Sequence, residues 1–301
     1  MFGILRGVFT LALLAVNLLF WGIPLHLVAL VKVLLPEGPG RVRMSRALMW
    51  IASSWAGGVL GILRLTQNIA WDVEGEDQLT TDDWYLVLCN HQSWVDIIVL
   101  LGVLLGRAPF PKFFLKRELI WVPILGFAWW ALDFPFMYRH SKEYLARHPE
   151  ARGADLEATR RACEHFRHTP TTIINFVEGT RFTPEKHDTQ GSPFEHLLKP
   201  RAGGTALVLS AMGDILHRLV DVTIVYPGGA VSFWEMCCGK LRRVVVRVSV
   251  QEIPAWISEG DYEKDREFRV RFQGWLNGIW RDKDARIQRI LASSDSGPDS
   301  P

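Results

Sequence analysis

An excess of charge of either sign is nearly absent from this chain: 34 Lys and Arg stand against 32 Asp and Glu, a net charge of +2 over 301 residues. So small an excess leaves no electrostatic footprint for nucleic acid, and no nucleic-acid partner is expected. Cysteine is scarce as well. Cys89, Cys163, Cys237 and Cys238 have no zinc-ligand spacing and two of them are adjacent, so they read as reduced thiols inside or facing the cytoplasm. No Gly-x-Ser-x-Gly pentapeptide occurs, which excludes the common α/β-hydrolase nucleophile although not every hydrolase. Internal repeats and low-complexity blocks are missing too. The most informative absence is local: residues 7–31 contain no Lys, Arg, Asp or Glu.

At about 1.5 Å per residue that run is ~37 Å long, enough to cross a bilayer core of about 30 Å. No small-x-small site follows before Pro36, so removal as a signal peptide is not expected. Lys32, Arg41, Arg43 and Arg46 then surround a Pro/Gly-rich turn, and a second apolar stretch, residues 47–63, holds Trp50 and Trp55. Against Arg6 alone on the other flank, these cations place the turn on the cytoplasmic side. The hydrophobic content of 49% and the 13 Trp suit a protein at an interface.

Beyond residue 70, charged and apolar residues mix as in a globular domain. Residues 86–89, 172–177, 220–226 and 244–250 read as strands, and 97–105, 156–166 and 203–211 as helices. The alternation predicts an α/β fold, a mixed sheet flanked by helices. Residues 262–291 read as a helix with Phe268, Phe272, Trp275, Leu276, Ile279 and Trp280 on overlapping faces; packing on the domain and contact with a membrane both fit. The expected organisation is membrane-anchoring helices in 1–70, one domain in 71–292, and a Ser/Asp/Pro-rich disordered tail in 293–301.

The chemistry concentrates where the apolar run from Tyr85 to Cys89 ends in a polar cluster holding His91 and Asp96. Ser93 and Asp96 have capping-box spacing before an apolar helix, which leaves His91 in the strand-to-helix turn, able to fold back onto Asp96. The carboxylate would fix the imidazole tautomer and leave the other nitrogen to take a proton from a hydroxyl. The same pair also reads as a turn histidine beside a helix cap. A second strand, 172–177, runs into Glu178, Gly179, Thr180 and Arg181: a residue that permits a tight turn, a hydroxyl, and a guanidinium fork suited to phosphate or carboxylate. Lys116, Arg139, Lys199 and Arg201 would complete an anion pocket if the fold gathers them on the same sheet edge.

Asn-His-x4-Asp at residues 90–96, Phe-Val-Glu-Gly-Thr-Arg at 176–181 and an apolar strand ending at Pro227 occur in the order of the 1-acylglycerol-3-phosphate acyltransferase (PlsC-type) family, and the chain resembles that family over roughly residues 85–230. The wording around Arg181–His187 and Leu198–Arg201 is similar to the branch with bacterial YihG-like proteins and some animal lysophosphatidic acid acyltransferases. The resemblance implies acyl transfer to a lysophospholipid from acyl-CoA or acyl carrier protein, with no metal or redox cofactor. It makes His91 the general base, Asp96 its orienting partner, and Glu178, Gly179, Thr180 and Arg181 the acceptor motif. Arg139 falls at the arginine of the intervening motif, and Lys116 joins the substrate-binding set. Oxyanion donors are expected among backbone N–H groups near His91 or Gly179. Cytosolic acyl donors imply that the domain sits on the cytoplasmic side of a bacterial inner membrane, so the two apolar helices form a hairpin in one leaflet, or the first crosses and the second lies in the interface. Acylation of another lysolipid, a non-catalytic anionic-lipid-binding module, and a thioesterase or lipid hydrolase running the same dyad on water are the competing readings.

Overall fold

The computed structural model describes residues 2–137, 147, 154–262 and 264–295. Two long helices lead. α1 (Phe2–Leu34) and α2 (Pro39–Thr66) pack against each other as a hairpin around the Pro/Gly turn, with Pro39 at the first position of α2, where its missing N–H costs nothing. The outward face of α1 is apolar and exposed along its whole length, from Ile4 and Phe9 through Phe20 and Leu27 to Leu34.

The hairpin does not stand away from the rest of the chain. Near its start, a side chain added at Gly7 would meet Cys238 and Trp234, and Gln67 Nε2 donates to both Thr10 Oγ1 (2.9 Å) and the Cys237 carbonyl (3.0 Å). At its end, the buried Lys32 donates to the Ala131 carbonyl (2.8 Å) and pairs with Asp133 (2.7 Å). Both ends of α1 therefore rest on the same globular body.

That body is built on a six-stranded mixed sheet. Its strands are β1 (Ala70–Glu74), β2 (Tyr85–Cys89), β3 (Pro111–Phe113), β6 (Thr172–Phe176), β7 (Arg218–Val225) and β8 (Arg243–Glu252), in the order β1-β8-β7-β2-β6-β3; β4 (Leu115–Lys116) and β5 (Phe136–Met137) form a separate two-stranded ladder. Only β7 and β8 run antiparallel, so β7, β2, β6 and β3 point the same way. Every residue of β2 is buried, as a central parallel strand with both faces covered requires. α2 and α3 (Val95–Leu104) cover one face. The other is covered by α5 (Ala154–Cys163), α7 (Ala202–Met212) and α9 (Arg266–Asp295). The remaining helices, α4 (Leu125–Ala131), α6 (Pro184–Gln190) and α8 (Phe233–Cys237), are short.

The expected α/β class and the four principal strands match. The differences lie in short or marginal elements. β1 and β3 were not expected. The C-terminal helix begins at Arg266 rather than 262 and continues through Asp295, so residues 293–295 are helical and not part of a tail. Its stripe of Phe268, Phe272, Leu276 and Trp280, at four-residue spacing, is buried in the domain core, which decides for packing on the domain. The charged end of that stripe is tied down as well: the buried Lys283 Nζ donates to the Val222 carbonyl (2.5 Å) and pairs with Asp221, while the half-buried Arg286 Nη1 reaches Asp221 (2.9 Å) and Thr223 (2.8 Å). These bonds fix α9 to the middle of β7.

Candidate active site

Three adjacent parallel strands release their chains at one edge of the sheet. β2 leads to His91, β6 to Glu178 and β7 to Tyr226, with Cys89 in register with Phe176 and Val222. Ligands of open α/β sheets gather at such carboxyl ends. Asn90 holds the centre of the edge, donating to the Ile224 carbonyl and accepting from the Ile224 N–H, both at 2.9 Å.

His91 and Asp96 do meet. Nδ1 of His91 lies 2.8 Å from Asp96 Oδ2, and that oxygen also accepts the N–H groups of Gln92 (2.6 Å) and Ser93 (2.9 Å). The other oxygen accepts from the Tyr226 hydroxyl at 2.6 Å. Burial and the neighbouring Asp96 charge push the Tyr226 hydroxyl well above its ordinary pKa, so it stays a donor. A carboxylate fed by four donors can only accept from Nδ1, and the Nδ1 proton leaves Nε2 with its lone pair free. Phe176 stacks on the imidazole with ring centroids 4.0 Å apart, and the His91 carbonyl accepts from Phe182 N–H (2.7 Å), so ring and backbone are both held.

The capping box expected here is only half formed. α3 starts at Val95, and Asp96 reaches back to the Ser93 N–H, but the Ser93 hydroxyl serves Val95 (3.2 Å) instead of capping the third position. Tyr226 was missed at the sequence level, since an aromatic residue at the end of an apolar strand reads as core. Removing its hydroxyl in Tyr226→Phe is expected to lower kcat by roughly 3- to 10-fold with KM unchanged, the scale of one ordinary hydrogen bond acting on the base through Asp96. An unaltered kcat would mean that Asp96 needs no fourth donor.

Glu178 lies beneath the dyad, fully buried. Its Oε1 accepts from the His91 N–H and Oε2 from the Leu198 N–H, both at 3.1 Å, so it ties the two motifs together. Burial raises its carboxyl to about 7 despite those two bonds. Between the ordinary carboxylate range and pH 7 the folded state holds a proton that the unfolded chain has released, so stability falls as pH rises through that window. The expected loss is on the order of 3 kcal/mol relative to Glu178→Gln. Thermal unfolding of both proteins in detergent from pH 4.5 to 8 checks this; parallel curves would refute it.

The turn after Glu178 is cationic. Gly179 takes a φ of 69°, which favours glycine, and a Cβ there would come within 3.1 Å of the Arg201 side chain. Lys186 Nζ donates to Thr180 Oγ1 (2.8 Å) and to the Arg181 carbonyl (2.9 Å), and the Arg181 guanidinium sits 5.1 Å over the exposed Trp94 ring. Arg201 thus packs against Gly179 while Arg181 follows Thr180 in the turn, and exposed Lys199 is on the loop that carries Arg201. Lys186 was not anticipated. Lys116 is exposed on β4 and takes no part in the network around His91 among the described residues, and Arg139 lies outside the described residues.

Of the expected oxyanion donors, those nearest His91 and that of Gly179 itself are already engaged. The N–H groups of His91, Gln92 and Ser93 serve Glu178 and Asp96, and Gly179 donates to the Phe176 carbonyl (2.9 Å). Among the described residues, those of Thr180 and Arg181 carry no hydrogen bond. Cys89, next to the dyad, is fully buried, and burial pushes its thiol well above the ordinary range, which suits a core residue and not a nucleophile. A cavity of about 220 Å³ opens beside the cluster, lined by Gln92, Phe182, His196, Tyr226, Ile287 and Leu291.

Comparison with known families matches residues 70–227, just over half of the chain, to the family described as Acyltransferase. The chain belongs to the acyltransferase family. The matched region contains the dyad, the Glu178–Arg181 turn and Tyr226. Among individual relatives, 1-acyl-sn-glycerol-3-phosphate acyltransferase delta of Mus musculus is 24% identical over 216 residues, covering 66% of this chain and 51% of its own length. The 2-acyl-1-lysophosphatidylinositol acyltransferase of Saccharomyces cerevisiae is 27% identical over 257 residues, 69% of this chain and 62% of its own. The acyltransferase chain thus spans about half the length of the mammalian relatives it matches. The crystal structure of the 1-acyl-sn-glycerophosphate acyltransferase PlsC from Thermotoga maritima covers 98% of both chains with a TM-score of 0.51 at 15% identity, so the two share a fold.

Proposed function

We propose that this acyltransferase moves an acyl chain from acyl-CoA or acyl carrier protein to the sn-2 hydroxyl of 1-acyl-sn-glycerol 3-phosphate, giving phosphatidic acid. The observation that carries the reading is the imidazole of His91, whose Nδ1 is committed to Asp96 while Nε2 is free among the described residues, beside the turn that bears Arg181 and on which Lys186 and Arg201 close from neighbouring segments. Nε2 takes the proton as the hydroxyl oxygen attacks the thioester carbonyl, and Asp96 stabilises the imidazolium that forms. The tetrahedral intermediate collapses, the C–S bond breaks, and the imidazolium returns the proton to the departing thiolate. The open N–H groups of Thr180 and Arg181 are our candidates for the charge that develops on the carbonyl oxygen. Because the thioester is already activated, no covalent enzyme intermediate is required.

For the acceptor, the Arg181 fork suits a phosphate monoester. Arg181→Ala is expected to raise KM for lysophosphatidic acid by about 10- to 100-fold with little change in kcat, the loss of one charge-assisted pair. Steady-state kinetics on mixed micelles tests this, and an unchanged KM would remove Arg181 from the acceptor site. The similarity to the yeast lysophosphatidylinositol enzyme favours a second reading, an acceptor with a larger head group. Product analysis with both lysolipids present separates the two.

The hairpin supports membrane attachment in one leaflet. A helix crossing the bilayer would carry its ends to opposite sides, roughly 30 Å apart, whereas Gly7 and Lys32 of α1 both rest on the globular body. We assign that leaflet to the cytoplasmic side of a bacterial inner membrane, where the basic turn and the acyl donors would lie.

A further inference from the structure

Between Glu118 and Asp133 the chain carries no charged residue for fourteen positions, and this uncharged segment lies outside the hairpin and outside the active site. It forms a short 3₁₀ turn (Arg117–Trp121) followed by α4. One side of α4 is buried against the hairpin: Ala131 and Leu132 share a cluster with Leu25, Ala29, Leu48 and Ile51, and the ring of Phe127 lies 5.9 Å from that of His26. The turn that leads into α4, together with its first residue, is bare. Trp121 is 83% exposed, Ile124 71% and Leu125 46%, alongside the exposed Phe20, Ile23 and Leu27 of α1.

An apolar turn in water and one in lipid make different demands on the backbone. In lipid every N–H and C=O must find an internal partner. Here most of the turn is paired: Val122 N–H reaches Leu119, Leu125 reaches Pro123, Gly126 reaches Val122 and Ala128 reaches Ile124, all at 3.1 Å or less, and Pro123 has no N–H to satisfy, so that among the described residues only the N–H groups of Ile124 and Phe127 in this turn carry no bond. The Ile124 carbonyl also lies 3.1 Å from His26 Nε2 of α1. Gly126 permits this closure, since a Cβ there would lie 2.0 Å from the Ile120 carbonyl oxygen.

We propose that the Trp121–Leu125 turn inserts into the bilayer beside α1 as a second membrane anchor, one that belongs to the acyltransferase domain itself. The inference rests on the membrane attachment proposed above, and its occupant is the acyl-chain region of the bilayer, continuous with that covering the hairpin. A domain held by the hairpin alone could tilt about it. Contact at α1 and at Trp121 fixes the plane of the sheet relative to the lipid and leaves Lys116, at the charged start of the segment, at head-group level.

The test uses the full chain with Cys238→Ser, which leaves only buried thiols. Single cysteines at Trp121→Cys, Phe20→Cys on α1, and Asp82→Cys in an exposed loop carry an environment-sensitive nitrobenzoxadiazole label after reconstitution into phosphatidylcholine/phosphatidylglycerol vesicles. The expected result is loss of emission at Trp121 with doxyl-labelled lipid matching that at Phe20, and quenching by aqueous iodide only at Asp82. Lipid quenching at Phe20 with iodide quenching at Trp121 would overturn the second anchor and leave the hairpin attached. Iodide quenching at both would overturn the attachment along with it. A Trp121 label shielded from both quenchers would assign the turn to a contact between copies of the chain and overturn the proposal.

Discussion

Replacing His91 by alanine is expected to lower kcat by roughly 10³-fold, within the range that a positioned general base supplies, while the protein still folds and co-sediments with vesicles. The ring is partly exposed, and its loss leaves no buried donor stranded, because Asp96 keeps the N–H groups of Gln92 and Ser93 and the Tyr226 hydroxyl. Its stacking on Phe176 is the main contact forfeited. A small fall in kcat with a large fall in melting temperature would make His91 a structural turn residue. Assays on protein of verified fold in detergent decide between the two.

Asp96 is expected to behave differently under two substitutions. Asp96→Ala strands two backbone N–H groups, the Tyr226 hydroxyl and the His91 Nδ1 proton at a fully buried position. Each unsatisfied group costs about 1–3 kcal/mol, so this variant loses at least ~4 kcal/mol of stability or fails to fold. Asp96→Asn keeps the architecture. The N–H groups of Gln92 and Ser93 select the amide oxygen for the Oδ2 position, which keeps His91 in its tautomer, and the amide NH₂ faces the Tyr226 hydroxyl, which turns to accept. What is lost is the charge opposite the imidazolium, with an expected fall in kcat of about 10²-fold. Thermal unfolding and kinetics on both variants measure the two effects separately. Equal stability of the alanine and asparagine variants would contradict the four-donor account of Asp96.

How much of this was legible from residues alone depended on whether a feature is local. The apolar run ending in Asn90-His91 marked the strand-to-turn junction, and five-residue spacing across a turn put Asp96 within reach, because neither needs knowledge of distant strands. Glu178–Arg181 could be placed after a strand for the same reason. β3 was hidden by its own chemistry: it opens with Pro111 and contains Lys112, a pattern that argues against a strand except at a sheet edge, where it lies. β1 alternates Trp71, Asp72 and Val73 beside the acidic Glu74 and is recognisable only through its pairing with β8. Tyr226 and the spent N–H groups required the whole edge, since they are set by which strands lie side by side. The cationic face was partly legible. Arg201 closes on the Gly179 turn that Arg181 follows, Lys186 arrives from the helix that follows, and Lys116 sits apart on the small ladder.

The measurement closest to the central claim is the fate of a labelled acyl group supplied as acyl-CoA to detergent-purified protein, with and without lysophosphatidic acid. The account predicts label in phosphatidic acid, dependent on the acceptor and lost in His91→Ala. Label released as free fatty acid at the same rate whether or not a lysolipid is present would contradict it, and would make the dyad a base acting on water.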